Sequence, residues 1–385
     1  MTPTFPIYLD YHATTPVDPA VFETMRPYFS DNFGNPASSS HSFGWRAEEA
    51  VKRAREQVAK LINAADPKEI IWTSGTTESI NMALKGIAVT HKERGNHLIT
   101  CVTEHRATLG VMEYLEKNGY RVTYLPVNSD GQIDLDQLER SMTGKTILIS
   151  LLAAHNEIGV LYPLKEIGTI AHNHKVLFHV DGAQACGKIP LDVQGMKIDL
   201  LSMSAHKLYG PKGIGALYVR KRSPTVELLP LIHGGSQESG LRAGTLAVPN
   251  IVGMGKAFEI AQNIMEQEAP RLKQLRNRLY QGFCERLGEI PINGDSINRL
   301  PGNLNVSFSG VRSDTIMAKL HDIAVSSGSA CSSGSLEPSY VIRSLGVGEE
   351  RARSSIRFGL GRFSTEEEIN YTIERMTDVI HQLKS

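Results

Sequence analysis

Two apolar runs in this chain end in ionisable side chains. VLFHVDGAQ delivers Asp181, and DLLSMSAHKLYGPKG delivers Ser204, His206 and Lys207. A carboxylate emerging from a buried run needs a cationic or hydrogen-bonding partner, because stripping water from an isolated charge is costly. A lysine in the same setting has its pKa lowered and becomes an amine nucleophile for a carbonyl. Taken singly, each could be half of a structural ion pair, the commoner fate of an aspartate or a lysine. As a pair they are what pyridoxal phosphate demands, a carboxylate for the pyridinium nitrogen and an amine for the aldehyde. Lys212 is the competing lysine; following Pro211 in a glycine-rich turn, it is expected to be solvated or to assist orientation.

Other run ends carry suitable chemistry too. In EIIWTSGTTES, Gly75, Thr76 and Thr77 open a helix, and first-turn N–H groups with hydroxyls can cradle a phosphate. No lysine follows in the Walker pattern. The alternative there is a plain cap with Glu78 in the first turn. HLITCVTEHRAT sets His105 just past a strand, where an imidazole either stacks on a flat heterocycle or caps a helix. TILISLLAAHNEIGV sets Asn156 at the same edge. The stretch SSGSACSSGS, Ser326 to Ser335, has the composition of a flexible linker yet carries Cys331. Cys101, Cys186 and Cys284 lie among strand or helix residues and read as apolar filling. With no C-x-x-C spacing, neither a zinc site nor a disulfide framework is expected, and no metal is assigned.

The elements that would position these groups follow from periodicity. Between residues 66 and 220, near-continuous β-branched runs alternate with helical patterns, which means strands covered on both faces and a mostly parallel sheet. Ligands bind such sheets outside the carboxyl ends of the strands, where these polar residues fall. Helices are expected around 17–30 and 42–63, and a long one from about 249 to 289 interrupted at Pro270. A second, smaller α/β unit follows, with strands NLNVSFS and SSIRFGL. His172 and His174 are expected to meet the carbonyls ending their helix, and Glu366 to Glu368 to form the acidic first turn of the last helix. The 385 residues suit two or three domains, and 41 basic against 41 acidic residues leave no dense cationic run for nucleic acid. No stretch approaches a membrane span, and the N-terminus has no secretory pattern, so the expected setting is cytoplasmic, with no membrane partner.

The motifs YLDYHATTP, FGNPASSSHSFG, TSGTTES, TEHRAT, HNEIGV, HVDGAQ, SAHKLYGPKGIGALYVR, RAGT, AVSSGSACSSGSLEPSYV and SSIRFGLGRF resemble those of the cysteine desulfurases of the Isc/Nif type, in order from Ile7 to Leu383. These are class V aminotransferase relatives within the pyridoxal phosphate enzymes of fold type I. The resemblance implies a large domain at 15–260, with a mainly parallel seven-stranded sheet between helices, and a small domain from 1–14 and 261–385 that carries the Cys331 loop. It also implies that Lys207 bonds to the cofactor aldehyde and shuttles the α-proton. Asp181 would hold the ring nitrogen, Gln184 the phenolic oxygen, and His105 would stack on the ring. Thr77, Ser204 and His206 would grip the phosphate, with Thr76 adding a hydroxyl and Thr245 reaching in from a second subunit of a homodimer. Arg357 would fork onto the substrate carboxylate beside Asn156. Cys331 would take sulfur from L-cysteine as a persulfide, leave L-alanine, and carry the sulfur to acceptors such as an iron-sulfur scaffold or a thiolation pathway, on a loop expected to be poorly ordered. Three features depart from the common family pattern. Thr76 stands where alanine is frequent and Ser239 where arginine is. The chain stops at Ser385, short of the tail that helps many Isc-type members dock a scaffold, so desulfuration is expected more firmly than scaffold delivery.

Overall fold

The computed structural model describes residues 4–222, 225–328 and 337–385. Its strands are β1 (Ile7–Tyr8), β2 (Ile70–Thr73), β3 (His97–Cys101), β4 (Arg121–Leu125), β5 (Thr146–Leu152), β6 (Leu177–Asp181), β7 (Leu200–Ser204), β8 (Gly215–Val219), β9 (Asn303–Ser307), β10 (Ile323–Ala324) and β11 (Ser355–Gly359). Seven of them form one sheet in the order β2-β8-β7-β6-β5-β3-β4. Only β8 runs against its neighbours, pairing antiparallel with both β2 and β7.

Side-chain alternation along each strand builds a core on either face of this sheet. Ile70, Trp72, Ile99, Cys101, Ile149, Leu151, Leu201 and Met203 enter one core; Ile71, Leu98, Ile147, Leu148, Leu200, Leu217 and Val219 enter the other. Burial on both faces is why these strands read as unbroken apolar runs.

A separate core gathers Ile7 and Leu9 with the far half of the helix Val248–Leu287, β9, β11 and the helix Glu366–Lys384. Here β9 pairs antiparallel with β11, while β1 pairs in parallel with β10. The last helix opens as expected, Thr365 and Glu368 forming a capping box with three glutamates in the first turn. His174 departs from expectation, since its Nε2 turns to Glu139 at 2.9 Å and away from the helix carbonyls.

A second expectation fails. The helix Val248–Leu287 continues through Pro270 without interruption. Its residues before the proline, Ile251 to Ala261, belong to the large core, and those after it, Leu272 to Phe283, to the small one. Packing at both ends outweighs the ~3 kcal/mol that an interior proline costs a helix. The Ser42–Leu61 helix lies along its first half, so closely that a Cβ on Gly255 would sit 2.6 Å from the Ala54 Cα.

Candidate active site

The carboxyl ends of the parallel strands open into a cavity of about 490 Å³. After β2 the backbone turns at Gly75 (φ 155°) into the helix Thr76–Thr90, whose N-cap offers no side-chain acceptor. Its first N–H groups therefore face the cavity without intrahelical acceptors. The buried Thr76 hydroxyl has no partner either. β8 passes directly beneath, and a Cβ on Gly215 would approach the Gly75 Cα to 2.6 Å, so this turn is closed by two glycines in contact. The cap reading of Ser74 to Thr77 survives in altered form: Glu78 accepts the Ser74 N–H at 2.7 Å and pairs with Arg242 at 3.0 Å.

β3 leads to His105, whose Nδ1 accepts the Ala107 N–H at 3.1 Å. The capping role and the pocket role thus coexist, because the same ring lines the cavity. Burial lowers its pKa, with Lys207 adding and Asp181 opposing. β6 ends in Asp181, 2 % exposed, accepting the Ala183 N–H at 2.9 Å. Burial raises that carboxyl, with His105 and Lys207 pulling it back. β7 ends in Ser204, followed by His206 and Lys207. Lys207 Nζ donates to the carbonyls of His12 at 2.7 Å and Ala13 at 2.5 Å. His206 Nδ1 lies 3.1 Å from Thr14 Oγ1, and burial with the charge of Lys207 pulls its pKa to about 4.

Gln184 lies in the turn after β6. Its Nε2 donates to the His12 carbonyl at 2.8 Å. Arg357 comes from β11 and is 1 % exposed. Its Nη2 pairs with Asp10 at 2.6 Å and its Nη1 donates to the Asn156 carbonyl at 3.0 Å, while Nε has no partner. The fork expected to be open for a carboxylate is therefore shared in this structure with a carboxylate of the chain itself.

Thr76, Thr77, His105, Asn156, Asp181, Gln184, Ser204, His206, Lys207 and Arg357 all line the one cavity, as does Lys212 from its exposed position. Thr245 and Ser239 are exposed and do not line it. Cys331 and its neighbours 329–336 lie outside the described residues, as does the expectation about that loop's order. The described residues flanking them tie back to the site. Ser326 and Arg357 exchange backbone hydrogen bonds, Ser339 Oγ donates to Glu157 Oε2 at 2.6 Å, and the Tyr340 hydroxyl donates to the Glu104 carbonyl at 2.5 Å.

Asp10, His12 and Thr14 were not among the residues singled out from strand ends. They precede the first helix and follow no apolar run; their only signal was membership of the YLDYHATTP stretch. Among the described residues no cluster of side chains suits a metal ion. A molecule with a phosphate, a basic ring nitrogen and an aldehyde fits the groups present. The uncapped helix end with the orphaned Thr76 hydroxyl suits the first, the buried Asp181 the second and Lys207 the third.

The class-V aminotransferase family matches residues 7–372. The cysteine desulfurase IscS of Rickettsia felis is 54% identical over 382 residues, 99% of this chain and 93% of the relative. That of Anaeromyxobacter dehalogenans is 55% identical over 379 residues, covering 98% and 93%. Among solved structures, a NifS-like protein superposes with a TM-score of 0.91 at 38% identity, covering 98% of this chain and 99% of the other. SspA in complex with cysteine gives 0.81 at 38% identity over 93% and 100%.

Proposed function

From the premise that this chain belongs to the class-V aminotransferase family, as an Isc/Nif-type cysteine desulfurase dependent on pyridoxal phosphate, we propose how its own residues divide the work. The observation that carries the assignment is the meeting of Lys207, Asp181, His105 and Arg357 with the Thr76–Thr90 helix end in one cavity. Bound there, the cofactor supplies an aldehyde for an amine and a ring that accepts electrons from a carbon losing its proton. Lys207 holds it and, once released, moves the proton from the substrate's α-carbon. Asp181 keeps a proton on the ring nitrogen, because a buried carboxylate gains most from a cationic partner. The helix end with Thr76, Thr77, Ser204 and His206 takes the phosphate, Gln184 the ring oxygen, and His105 a face of the ring.

Arg357 takes the carboxylate of L-cysteine beside Asn156. Its planar fork suits that task better than a lysine would. The Cys331 thiolate then attacks the substrate sulfur. The carbon-sulfur bond breaks, a sulfur-sulfur bond forms, and L-cysteine plus one thiol becomes L-alanine plus one persulfide. The ties of Ser326 to Arg357 and of Ser339 and Tyr340 to residues beside Asn156 and His105 support this, since they root both ends of the Cys331 segment at the pocket. Delivery runs to sulfur acceptors in iron-sulfur assembly or thiolation, in a cytoplasmic homodimer to which a second subunit lends Thr245. The same reading divides the chain into a large domain at 15–260 and a small one from 1–14 and 261–385; the separate core that takes Ile7 and Leu9 supports it.

The test is direct. Purified protein with cofactor should release alanine from L-cysteine and, with a reductant, sulfide in equal amount. Cys331→Ser should end persulfide formation while the bound chromophore remains. Full sulfur transfer by that variant would refute the carrier role.

A further inference from the structure

Lys188 follows Gln184 by four residues in the turn after β6 and belongs to none of the groups assigned above. Its stem is partly exposed, but its Nζ turns inward and donates to Gln184 Oε1 at 2.9 Å. An ammonium has only hydrogens to offer, so this contact settles which end of the amide is oxygen. Gln184 Nε2 is then the donor end. One of its hydrogens goes to the His12 carbonyl, and Gln184 lines the cavity, so the other is available to a bound molecule. His12 Nδ1, 3.1 Å from the same Oε1, must carry a proton, which leaves the ring's Nε2 as a buried lone pair without a partner. The His12 carbonyl favours this orientation of the amide, and the lysine adds the stronger, charge-assisted contact. Two donors on one carbonyl oxygen also polarise the amide and strengthen its N–H as a donor.

We propose that Lys188 is a positioning residue of the cofactor pocket, which holds and polarises the Gln184 amide so that an N–H, and not the oxygen, meets the ring oxygen of the cofactor. This rests on the reading of Gln184 given above. The groups facing Lys188 are Gln184, Tyr11 and His12 from the N-terminal segment, Tyr209, Glu268 from the long helix, and Cys186, Lys207 and Arg357. Burial, reinforced by Lys207, brings its pKa down to about 7. Of its neighbours, His12 is held well below the ordinary imidazole value and Cys186 is pushed up to about 12, both by burial, so neither titrates with it. As pH rises through neutrality the ammonium becomes an amine and its grip on Gln184 weakens.

The experiment uses the holoenzyme and reads the visible absorption band of the bound cofactor and the cofactor dissociation constant, each against pH. Lys188→Met should shift the band and weaken cofactor binding about tenfold, the equivalent of one charge-assisted hydrogen bond. In a Gln184→Ala background the same substitution should add nothing, because the lysine acts through the amide. Lys188→Arg, which retains a cation at all accessible pH, should keep the affinity and abolish the step near pH 7; it also serves should Lys188→Met fold poorly. If Gln184→Ala changes band and affinity while Lys188→Met leaves both as in the wild type, or if the neutral step survives in Lys188→Arg, the positioning role is overturned and the Gln184 reading stands. If Gln184→Ala changes neither, that reading itself has failed.

Discussion

One wall of the pocket is made by strand ends of a single sheet, bringing Thr76, His105, Asn156, Asp181, Ser204 and Lys207 to the cavity. A second wall is assembled from remote chain: His12, Ala13 and Thr14 from the N-terminal segment and Arg357 from β11, with Asp10 paired to Arg357 at 2.6 Å. The first wall is rigid by construction, each residue following a strand buried on both faces. The second depends on pairings such as β1 with β10, in which residues far apart in sequence meet over two residues of strand. A group that must stay fixed while bonds change is well placed on the first. A group that must receive and release an amino acid is well placed on the second.

The largest expected effect strikes the first wall. Lys207→Ala removes the amine that now rests on the His12 and Ala13 carbonyls. It should abolish alanine formation and the covalently held chromophore together, as absorbance after gel filtration would record. Survival of both would move the chemistry to Lys212, the other lysine that lines the cavity.

Arg357→Lys tests the second wall and should be the next largest. Replacing a fork by a point charge forfeits at least one charge-assisted hydrogen bond, which corresponds to a loss of about 10- to 100-fold in kcat/KM. With Arg357 assigned to the substrate and not the cofactor in the proposed function, the loss should fall mainly on KM, with the cofactor spectrum unchanged. A spectrum that moved with it would mean that the two walls are coupled and not divided as described.

The two walls also differ in how far the sequence reveals them. Asp181, Lys207 and the helix start at Thr76 are legible because an apolar run ending in a polar residue, in an alternating strand and helix pattern, has few other meanings. Asp10, His12 and Thr14 have no such frame. Their short segment carries no period, and what places them are tertiary contacts far along the chain, Asp10 with Arg357, His12 with Gln184 and Thr14 with His206. The helix through Pro270 is hidden from the sequence for a related reason, since local chemistry favours a break that packing in two separate cores overrides. Lys188 in a Gly-Lys turn looks like any surface lysine. Only the fold shows its amine against Gln184.

A smaller effect belongs to the seam between the walls, where His206 meets Thr14. His206 is held neutral with a pKa near 4 against an ordinary 6.5. The folded state therefore binds fewer protons than the unfolded one across that interval, so stability should rise with pH from about 4 to about 6.5 and fall on acidification. The ring is partly solvated, which tempers the effect. His206→Asn should flatten the slope of unfolding free energy against pH in that window, measured by urea denaturation. An unaltered slope would assign the acid sensitivity to His155 and His179, both buried and held low, at about 4 and about 3.

The smallest effect returns to the first wall, with two opposite signs. The Thr76 hydroxyl is buried without a partner in the protein alone, a situation that costs ~1–3 kcal/mol. Thr76→Ala should accordingly raise the melting temperature of the cofactor-free protein. With cofactor bound, the same change removes one hydroxyl from the phosphate cradle, and affinity should drop a few-fold while the helix N–H groups keep most of the grip. Calorimetry of both forms reads the two signs in one pair of experiments. If the substitution lowers both melting temperatures, Thr76 is a packing residue, and the first wall holds the phosphate through backbone and neighbouring hydroxyls alone.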